Sequence, residues 1–328
     1  MFRPEVRRCW HQDGQDPLAD LQAEIDSADP QVLVIQFNYG FFGFPQLAAL
    51  ILKAKADGRQ VVMMMHATDD SAVPPVRHLA NILPALKACD RLLVHSHHDL
   101  NNLRAMGLEE NVALFPHGVP YVDTPAPPAM TPERPVTLGT YGFFLPPKGL
   151  VQLIDALALL REGGAHVALE MVNAEYPAHI SAEAIAEGRA RIAALGQHDH
   201  IRLETAFLED AESFARLARA DALVFPYQQT AESASGAIRQ ALALNRPVIA
   251  TPLRIFDDVD PLILRLPGTD AVSIAEGLAP LVRALRDPSS DAALSARIDT
   301  CRANIRDWRQ SHAYSALAPR LWRVICSL

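Results

Sequence analysis

The sequence has no long hydrophobic run and no strongly basic segment. No window holds 18 uninterrupted apolar residues, and the start, MFRPEVRRCWHQDGQD, has no apolar stretch that could act as a signal peptide. We therefore expect a chain that is neither exported nor inserted in a membrane. The net charge of −8 argues against a nucleic-acid surface as the main function, because such surfaces are basic.

Cysteines are few, and none is paired by spacing. Cys9, Cys89, Cys301 and Cys326 are scattered along the chain. They form neither a metal-ligand pattern nor a disulfide framework, so we expect reduced thiols in a cytoplasmic protein. The stretch HSHH at residues 95–98 has no second cluster at a useful spacing, and we interpret it as a helix-start loop rather than a zinc site.

What is present is an ordinary globular composition with a clear alternation. The 328 residues are 49% apolar and 21% charged, which favours a soluble protein of two domains. Short apolar runs such as VLVIQF, VVMMM and RLLVHS alternate with helical patterns such as FPQLAALILKAKADG, the order typical of βαβ units. The sequence therefore predicts an α/β fold with parallel sheets covered by helices.

A proline-rich stretch divides this alternation. PYVDTPAPPAMTPERP has six prolines in sixteen positions and predicts an extended connector. We predict a short first domain over residues 1–120, a linker over 121–135 and a second domain over 136–305. A C-terminal helix over 306–328 is expected to carry a kink at Pro319, and whether it crosses back to the first domain is left open.

Residues 230–251, TAESASGAIRQALALNRPVIAT, predict a loop, a helix and a strand after the apolar run ALVFPY. In an open parallel sheet such a loop lies at the carboxyl ends of the strands, where ligands bind. Ser235 and Gly236 offer a cap and an unobstructed first turn, whose N–H groups attract phosphate. Glu232 would be repelled by phosphate, so we expect it to accept hydrogen bonds from sugar hydroxyls. The alternative that Glu232 only caps the helix stays open.

Lys148 is a second candidate. It lies in LGTYGFFLPPKGL, between the first strand and first helix of the second half, where glycines such as Gly142 allow close backbone approach. A lysine there can place its ammonium on a phosphate, although a solvated lysine at a helix start is, taken alone, the commoner explanation. The stretch is not a GxGxxG fingerprint, so it gives no support for a nicotinamide cofactor.

These motifs together resemble a known family. GTYGFFLPPKG, then ADALVFPYQQTAESASGAIRQALALNRPVIAT, with FPHGV closing the first half, resemble the retaining GT-B glycosyltransferases of family 4. IQFNYGFF and MMMHATDD point to its mannosyltransferase-like branch. The resemblance covers nearly the whole chain and is stronger in the second half. It implies two Rossmann-like, doubly wound domains facing a cleft, with a shortened N-terminal domain.

The resemblance also implies roles for individual residues. His66 would be the active-site histidine, Glu232 would hold donor-sugar hydroxyls, and Lys148 would contact the diphosphate. The remaining donor-binding residues would be Gly142, Asn173, Phe207, Ser235, Gly236, Ala237 and Gln240. The acceptor side would include Asn38, Tyr39 and Gly40.

Three departures from the family pattern bear on activity. YGFF occupies the place of the family's phosphate-binding arginine, which removes a bidentate clamp. Gln240 stands where the family has a ribose-binding glutamate, although an amide also accepts from a hydroxyl. The opening strand with its glycine-rich loop is missing, so either NYGFFGFP at residues 38–45 lines the cleft or that unit is lost.

DVD at 258–260 resembles the metal motif of another glycosyltransferase fold, but the pattern is short.

The resemblance thus implies transfer of a hexose, mannose first, from a UDP- or GDP-linked donor to a glycan or lipid-linked glycan, with retention and without a metal or cofactor. Alternatives are a noncatalytic sugar-nucleotide-binding or scaffold domain, one module of a larger polysaccharide-synthesising enzyme, and an epimerase of the same architecture. The oligomeric state stays undetermined. The tail PRLWRVICSL leaves open a peripheral contact with the inner face of a membrane.

Overall fold

The structure is a computed structural model that describes residues 6–12, 14–230, 232 and 234–328. The chain forms two compact units. The first unit contains the residues up to His117 together with Ala231–Ala234 and Ala318–Leu328. The second contains Gly118–Thr230 and Ser235–Leu317. None of the helices in the described residues is long and apolar enough to span a bilayer.

The first unit is built on a four-stranded parallel sheet. Its strands are β1 (Val32–Phe37), β2 (Gln60–Met65), β3 (Arg91–Val94) and β4 (Val112–Leu114), paired in the order β1-β2-β3-β4. Its helices are α1 (Ala19–Ala28), α2 (Phe44–Ala56), α3 (Leu83–Ala88) and α4 (His97–Ala105). Because all four strands are parallel, the residues that follow each strand lie along one edge of the sheet.

The core of the first unit follows from its sequence patterns. Helix α2 has Pro45 in its first turn, where the missing N–H is tolerated. It buries Leu47, Leu50 and Ile51 on one face, at helical spacing. These side chains pack with Met63 and other side chains of β1, β2 and β3 in one apolar cluster.

The second unit is built on a six-stranded parallel sheet. The strands are β5 (Val136–Phe143), β6 (Val167–Ala174), β7 (Ile201–Glu204), β8 (Ala222–Phe225), β9 (Val248–Ala250) and β10 (Ile263–Arg265). They pair in the order β7-β6-β5-β8-β9-β10. This is the 3-2-1-4-5-6 order of a dinucleotide-binding fold, and the chain reverses direction across the sheet between β5 and β8.

Helices cover both faces of the second sheet. They are α5 (Leu150–Glu162), α6 (His179–Ala194), α7 (Asp210–Leu217), α8 (Gly236–Ala243) and α9 (Ala271–Arg286). In β8, Val224 packs in the cluster that contains α5, α6 and α9, whereas Leu223 and Phe225 pack in the cluster that contains α7 and α8. A strand buried on both faces explains the continuous apolar run ALVF, as the sequence predicts.

Two helices end the chain, α10 (Ala292–His312) and α11 (Tyr314–Cys326). Ile298 and Ile305 of α10 enter the two different core clusters of the second unit. Pro319 lies inside α11, which continues as one helix on both sides of it. The division between the two units falls within α11, after Leu317.

Candidate functional site

The second sheet places a candidate site where its strand order reverses. Strands β5 and β8 are neighbours, and a loop leaves the carboxyl end of each. The first loop leads to Lys148 and α5, and the second leads to Ser235 and α8. In open α/β sheets this reversal opens a crevice between adjacent loops, which is the usual position of a ligand.

The two loops touch through their backbones. Gly149 has a φ of 69°, and a Cβ built on it would lie 1.9 Å from the carbonyl oxygen of Pro226. The N–H of Gln228 donates to the carbonyl of Pro147 at 2.9 Å. Position 149 therefore requires glycine for both its conformation and its space, and this contact fixes the position of the loop that carries Lys148.

Lys148 lies beside the start of α8. Its Nζ is 4.0 Å from the ring centroid of Tyr227, a cation–π contact with a buried aromatic side chain. The Tyr227 hydroxyl is 3.1 Å from Oγ of Ser235, which caps α8 by accepting from the N–H of Ile238 at 3.3 Å. No pattern in the sequence distinguishes Tyr227, although this side chain connects two of the predicted residues.

The first turn of α8 has backbone N–H groups that are not used within the helix. The N–H groups of Gly236 and Ala237 have no partner inside the helix, as at any helix start. A Cβ on Gly236 would meet no atom within 4 Å, so there is room above this turn. Gly142, at the end of β5, has a φ of 123° and faces the same turn, since a Cβ there would lie 3.3 Å from that of Ala237. The structure therefore brings Gly142, Gly236 and Ala237 together.

A buried ion pair anchors this turn. Arg239 donates to the carbonyl oxygen of Ser235 at 2.8 Å and pairs with the carboxylate of Asp258. Asp260, the other acid of DVD, accepts from Nε of Arg265 at 2.6 Å. Both acids of the DVD stretch are thus paired with arginines, so DVD is an ion-pair segment here.

Two predicted donor-binding residues have a buried side-chain oxygen without a hydrogen-bond donor in the described part of the chain. Asn173 is the penultimate residue of β6, in register with Gly142, and its Nδ2 lies 3.5 Å from the Gly142 carbonyl. Oδ1 of Asn173 and Oε1 of Gln240 are buried and accept no hydrogen bond within the described part of the chain. Because a buried polar atom without a partner is costly, each marks a place where a ligand N–H or O–H group would be favourable.

Three aromatic side chains line the carboxyl ends of three adjacent strands. Phe143 ends β5, Tyr176 follows β6 and Phe207 follows β7. The rings of Phe143 and Phe207 stack at 6.1 Å, and Tyr176 meets Phe143 edge-on at 5.1 Å. Phe207 is 79% exposed, so its other surface is open to a planar group.

His66 lies at the carboxyl end of β2, in the first unit. Its backbone N–H donates to the carbonyl of Phe37 at 2.9 Å, and its ring Nε2 is 2.7 Å from Oε1 of Gln36. Burial lowers the pKa of His66 below its ordinary value, and the negative charge of Glu232 partly opposes this shift. The negative charge of Glu232 therefore acts on the imidazole of His66.

Two further histidines join His66. His95 follows β3 and His117 follows β4, and the ring of His66 lies 4.9 Å and 5.4 Å from theirs. His97 and His98 instead form the first turn of α4 after the Ser96 cap, as predicted for HSHH. The spacing of His66, His95 and His117 along the chain gives no local motif, so their association is not visible in the sequence.

The predicted acceptor-side residues form the turn after β1. The N–H of Phe41 donates to the carbonyl of Asn38 at 3.0 Å, and Gly40 is exposed. Tyr39 is buried and its hydroxyl donates to Asp70 at 2.7 Å. Burial is the main cause that raises the pKa of Tyr39 far above its usual range, and the hydrogen bond to the Asp70 carboxylate raises it further. Its side chain is therefore part of the core, while Asn38 and Gly40 are the accessible members of the turn.

The comparisons with known proteins identify the fold. No family model and no curated protein sequence matches the chain. A sucrose-phosphate synthase from Thermosynechococcus elongatus is 17% identical with a TM-score of 0.72, covering 94% of this chain and 76% of that one. The Anabaena protein HepE in complex with UDP is 15% identical with a TM-score of 0.69, covering 97% and 85%. A UDP-forming α,α-trehalose-phosphate synthase from Burkholderia vietnamiensis is 13% identical with a TM-score of 0.67, covering 94% and 76%.

At these identities the likeness establishes the fold. The chain has the GT-B fold, with one parallel sheet in each of its two units. The first sheet has four strands and the second has six. The predicted α/β class is therefore confirmed.

Proposed function

We propose that this protein is a glycosyltransferase that moves a hexose from a nucleoside diphosphate sugar to a glycan acceptor, with retention at the anomeric carbon. The observation that carries the proposal is the convergence of Lys148, the start of α8 and the buried acceptor oxygens at the reversal point of the second sheet. The fold is shared with proteins named as a glycosyltransferase, a sucrose-phosphate synthase and a UDP-forming trehalose-phosphate synthase, which supports the proposal.

The diphosphate would bind between Lys148 and the first turn of α8. Two N–H donors, the positive end of the helix dipole and one ammonium are the groups that recognise phosphate oxygens. Gly142 and Gly236 leave room for the ligand to approach the backbone. Tyr227 and Arg239 would act as positioning residues, because one holds Lys148 and the other holds the cap carbonyl.

The sugar and the ribose need acceptors for their hydroxyls. Glu232 precedes the α8 cap by three residues and is exposed, and its carboxylate oxygens would accept hydrogen bonds from hexose hydroxyls. Gln240 lies one turn into α8 and its buried Oε1 would accept from a ribose hydroxyl. An amide accepts less strongly than a carboxylate, so this contact supplies position more than affinity.

The base would lie against Phe207 and reach Asn173. A buried amide oxygen suits the N–H of a pyrimidine or purine ring, and an exposed phenyl ring suits its face. HepE is described in complex with UDP and with UDP-glucose, and TarM from S. aureus with UDP. We therefore propose a uridine donor, UDP-glucose first, with GDP-mannose as the guanosine donor to compare.

Catalysis in this proposal is electrostatic. As the bond between the anomeric carbon and the diphosphate oxygen breaks, negative charge grows on the leaving group, which Lys148 and the α8 start stabilise. The acceptor oxygen forms its bond on the same face of the sugar, and the departing phosphate takes the acceptor proton. In this proposal His66 keeps the role that the resemblance implies for it, that of the active-site histidine.

The test is a direct assay of the purified chain. A thermal-shift panel of UDP-glucose, UDP-N-acetylglucosamine and GDP-mannose identifies the donor, because a ligand that binds only the folded state raises its apparent stability. With that donor, Lys148→Ala should lower the rate of sugar transfer or donor hydrolysis by roughly 100- to 1000-fold, the usual effect of removing one oxyanion-stabilising donor.

Lys87→Ala is the matched control, because it removes an exposed lysine from α3 of the first unit and should leave the rate unchanged. Normal turnover in Lys148→Ala would refute the role given to Lys148. Donor binding without any turnover in the unaltered protein would instead identify a noncatalytic sugar-nucleotide-binding domain.

A further inference from the structure

The first unit brings three histidines to one edge of its sheet. Met65, Val94 and Leu114 are partners in register across β2, β3 and β4. His66 and His95 directly follow the first two, and His117 lies three residues after the third. Their candidate ligand nitrogens all lie within 4.8 Å of one another. The sheet therefore assembles, from three separate segments, a set of imidazoles that the sequence spacing hides.

Hydrogen bonds fix which nitrogen of two rings carries the lone pair. Nδ1 of His95 lies 2.9 Å from the carbonyl of Phe115, which can only accept, so Nδ1 carries the proton and Nε2 has the lone pair. Nε2 of His66 donates in the same way to Oε1 of Gln36, which leaves the lone pair on Nδ1. Metal-binding histidines usually donate their second nitrogen to such oxygens.

The surroundings favour a neutral, ligating imidazole. His95 is 4% exposed, and His66 and His117 are half-buried. The rings of His95 and His117 stack at 3.8 Å, which would be unfavourable if both were protonated.

We propose that His66, His95 and His117 form a binding site for one Zn²⁺ ion, with a fourth position left for an exogenous ligand. Three imidazoles suit a borderline-soft divalent ion and do not suit Mg²⁺ or Ca²⁺. Tetrahedral Zn–N bonds of about 2.0–2.1 Å put the nitrogens roughly 3.3 Å apart, so modest ring rotations would close the site. Glu232 adds negative charge beside His66.

This site goes beyond the proposed transfer reaction, which assigns no role to a metal. Because His66 belongs to both, metal content rather than sugar transfer is the readout, and failure of one proposal leaves the other standing. Tag-free full-length protein is dialysed against Zn²⁺ and then against metal-free buffer, and its zinc is measured by mass spectrometry. We expect about one ion per chain, unaffected by excess Mg²⁺.

Two variants and a control decide the assignment. His117→Asn changes a half-buried ring, and His95→Gln changes the buried one; each should weaken Zn²⁺ binding by at least the roughly 10- to 100-fold that loss of an outer-shell partner costs. His97→Asn, in the exposed first turn of α4, should bind zinc normally. Circular dichroism checks that each variant is folded.

Cobalt supplies a second readout, because four-coordinate Co²⁺ absorbs strongly in the visible range and His117→Asn should abolish that band. Zinc below a stoichiometric amount in the unaltered protein would overturn the proposal. Equal zinc in folded His117→Asn and His97→Asn would overturn it as well.

Discussion

Replacing Gly149 with alanine tests the contact that holds the Lys148 loop in place. A Cβ at this position would lie 1.9 Å from the Pro226 oxygen and 2.9 Å from its carbonyl carbon. Both are backbone atoms, so neither can move aside as a flexible side chain would. The substitution must therefore separate the loop after β5 from the loop after β8, or strain both.

The expected loss of stability has two parts that a control can separate. A left-handed conformation costs a non-glycine residue about 1–2 kcal/mol, and an over-packed contact adds about 1–3 kcal/mol. Gly196 has a φ of 61°, and a Cβ there meets nothing within 4 Å. Gly196→Ala should therefore lose only about 1–2 kcal/mol, whereas Gly149→Ala should lose about 2–5 kcal/mol.

Urea unfolding of both variants, followed by circular dichroism, measures the two losses. Equal losses would refute the reasoning, because they would show that the loops separate without cost. Donor binding gives a second readout: Gly149→Ala should weaken the affinity for the nucleotide sugar, since Lys148 moves with its loop, whereas Gly196→Ala should not. Unchanged donor affinity in Gly149→Ala would show that the loop position does not matter for binding.

Two other predictions address the ends of the proposed donor. Glu232→Gln should lower the pKa of His66 further, because the negative charge that favours the imidazolium form is removed while the burial remains. An NMR titration that shows the same pKa of His66 in both proteins would contradict the electrostatic coupling of Glu232 and His66. Phe207→Ala should weaken UDP binding by roughly 1–3 kcal/mol, the usual value of one base–aromatic stack. Leu159→Ala, on the exposed surface of α5, is the control in the calorimetric measurement of UDP affinity. Equal UDP affinities in the two variants would show that the base does not stack on Phe207.

The fold was predictable because each local pattern agreed with it. Runs buried on both faces, such as ALVF of β8, appear as continuous apolar stretches, and helices between them carry their own caps. The motif around Ser235 was placed correctly at the start of α8, since a small polar residue before an amphipathic pattern is a strong local signal. Local signals of this kind need no knowledge of which strands are neighbours.

Contacts between distant segments were not predictable in the same way. His66, His95 and His117 meet because β2, β3 and β4 pair in sequence order, and only that pairing brings residues after different strands together. Tyr39 was expected on the acceptor side, but its hydroxyl bonds to Asp70, which lies 31 residues away. A side chain that follows a strand can turn inward or outward, and the alternation of the strand does not decide which.

The aromatic residues at the edge of the second sheet change how a donor would be held. The stretch YGFF stands where the resemblance implies a phosphate-binding arginine, and its Phe143 stacks with Phe207 instead of offering charge. In the proposed site, Lys148 and about half a unit charge from the start of α8 would face the diphosphate. Recognition then depends more on the base and less on the phosphates. Only interactions that strengthen in the transition state accelerate a reaction. In the proposed site, the attraction between Lys148 and the diphosphate would grow as negative charge develops on the leaving group, while the diphosphate of the bound donor would be held more weakly.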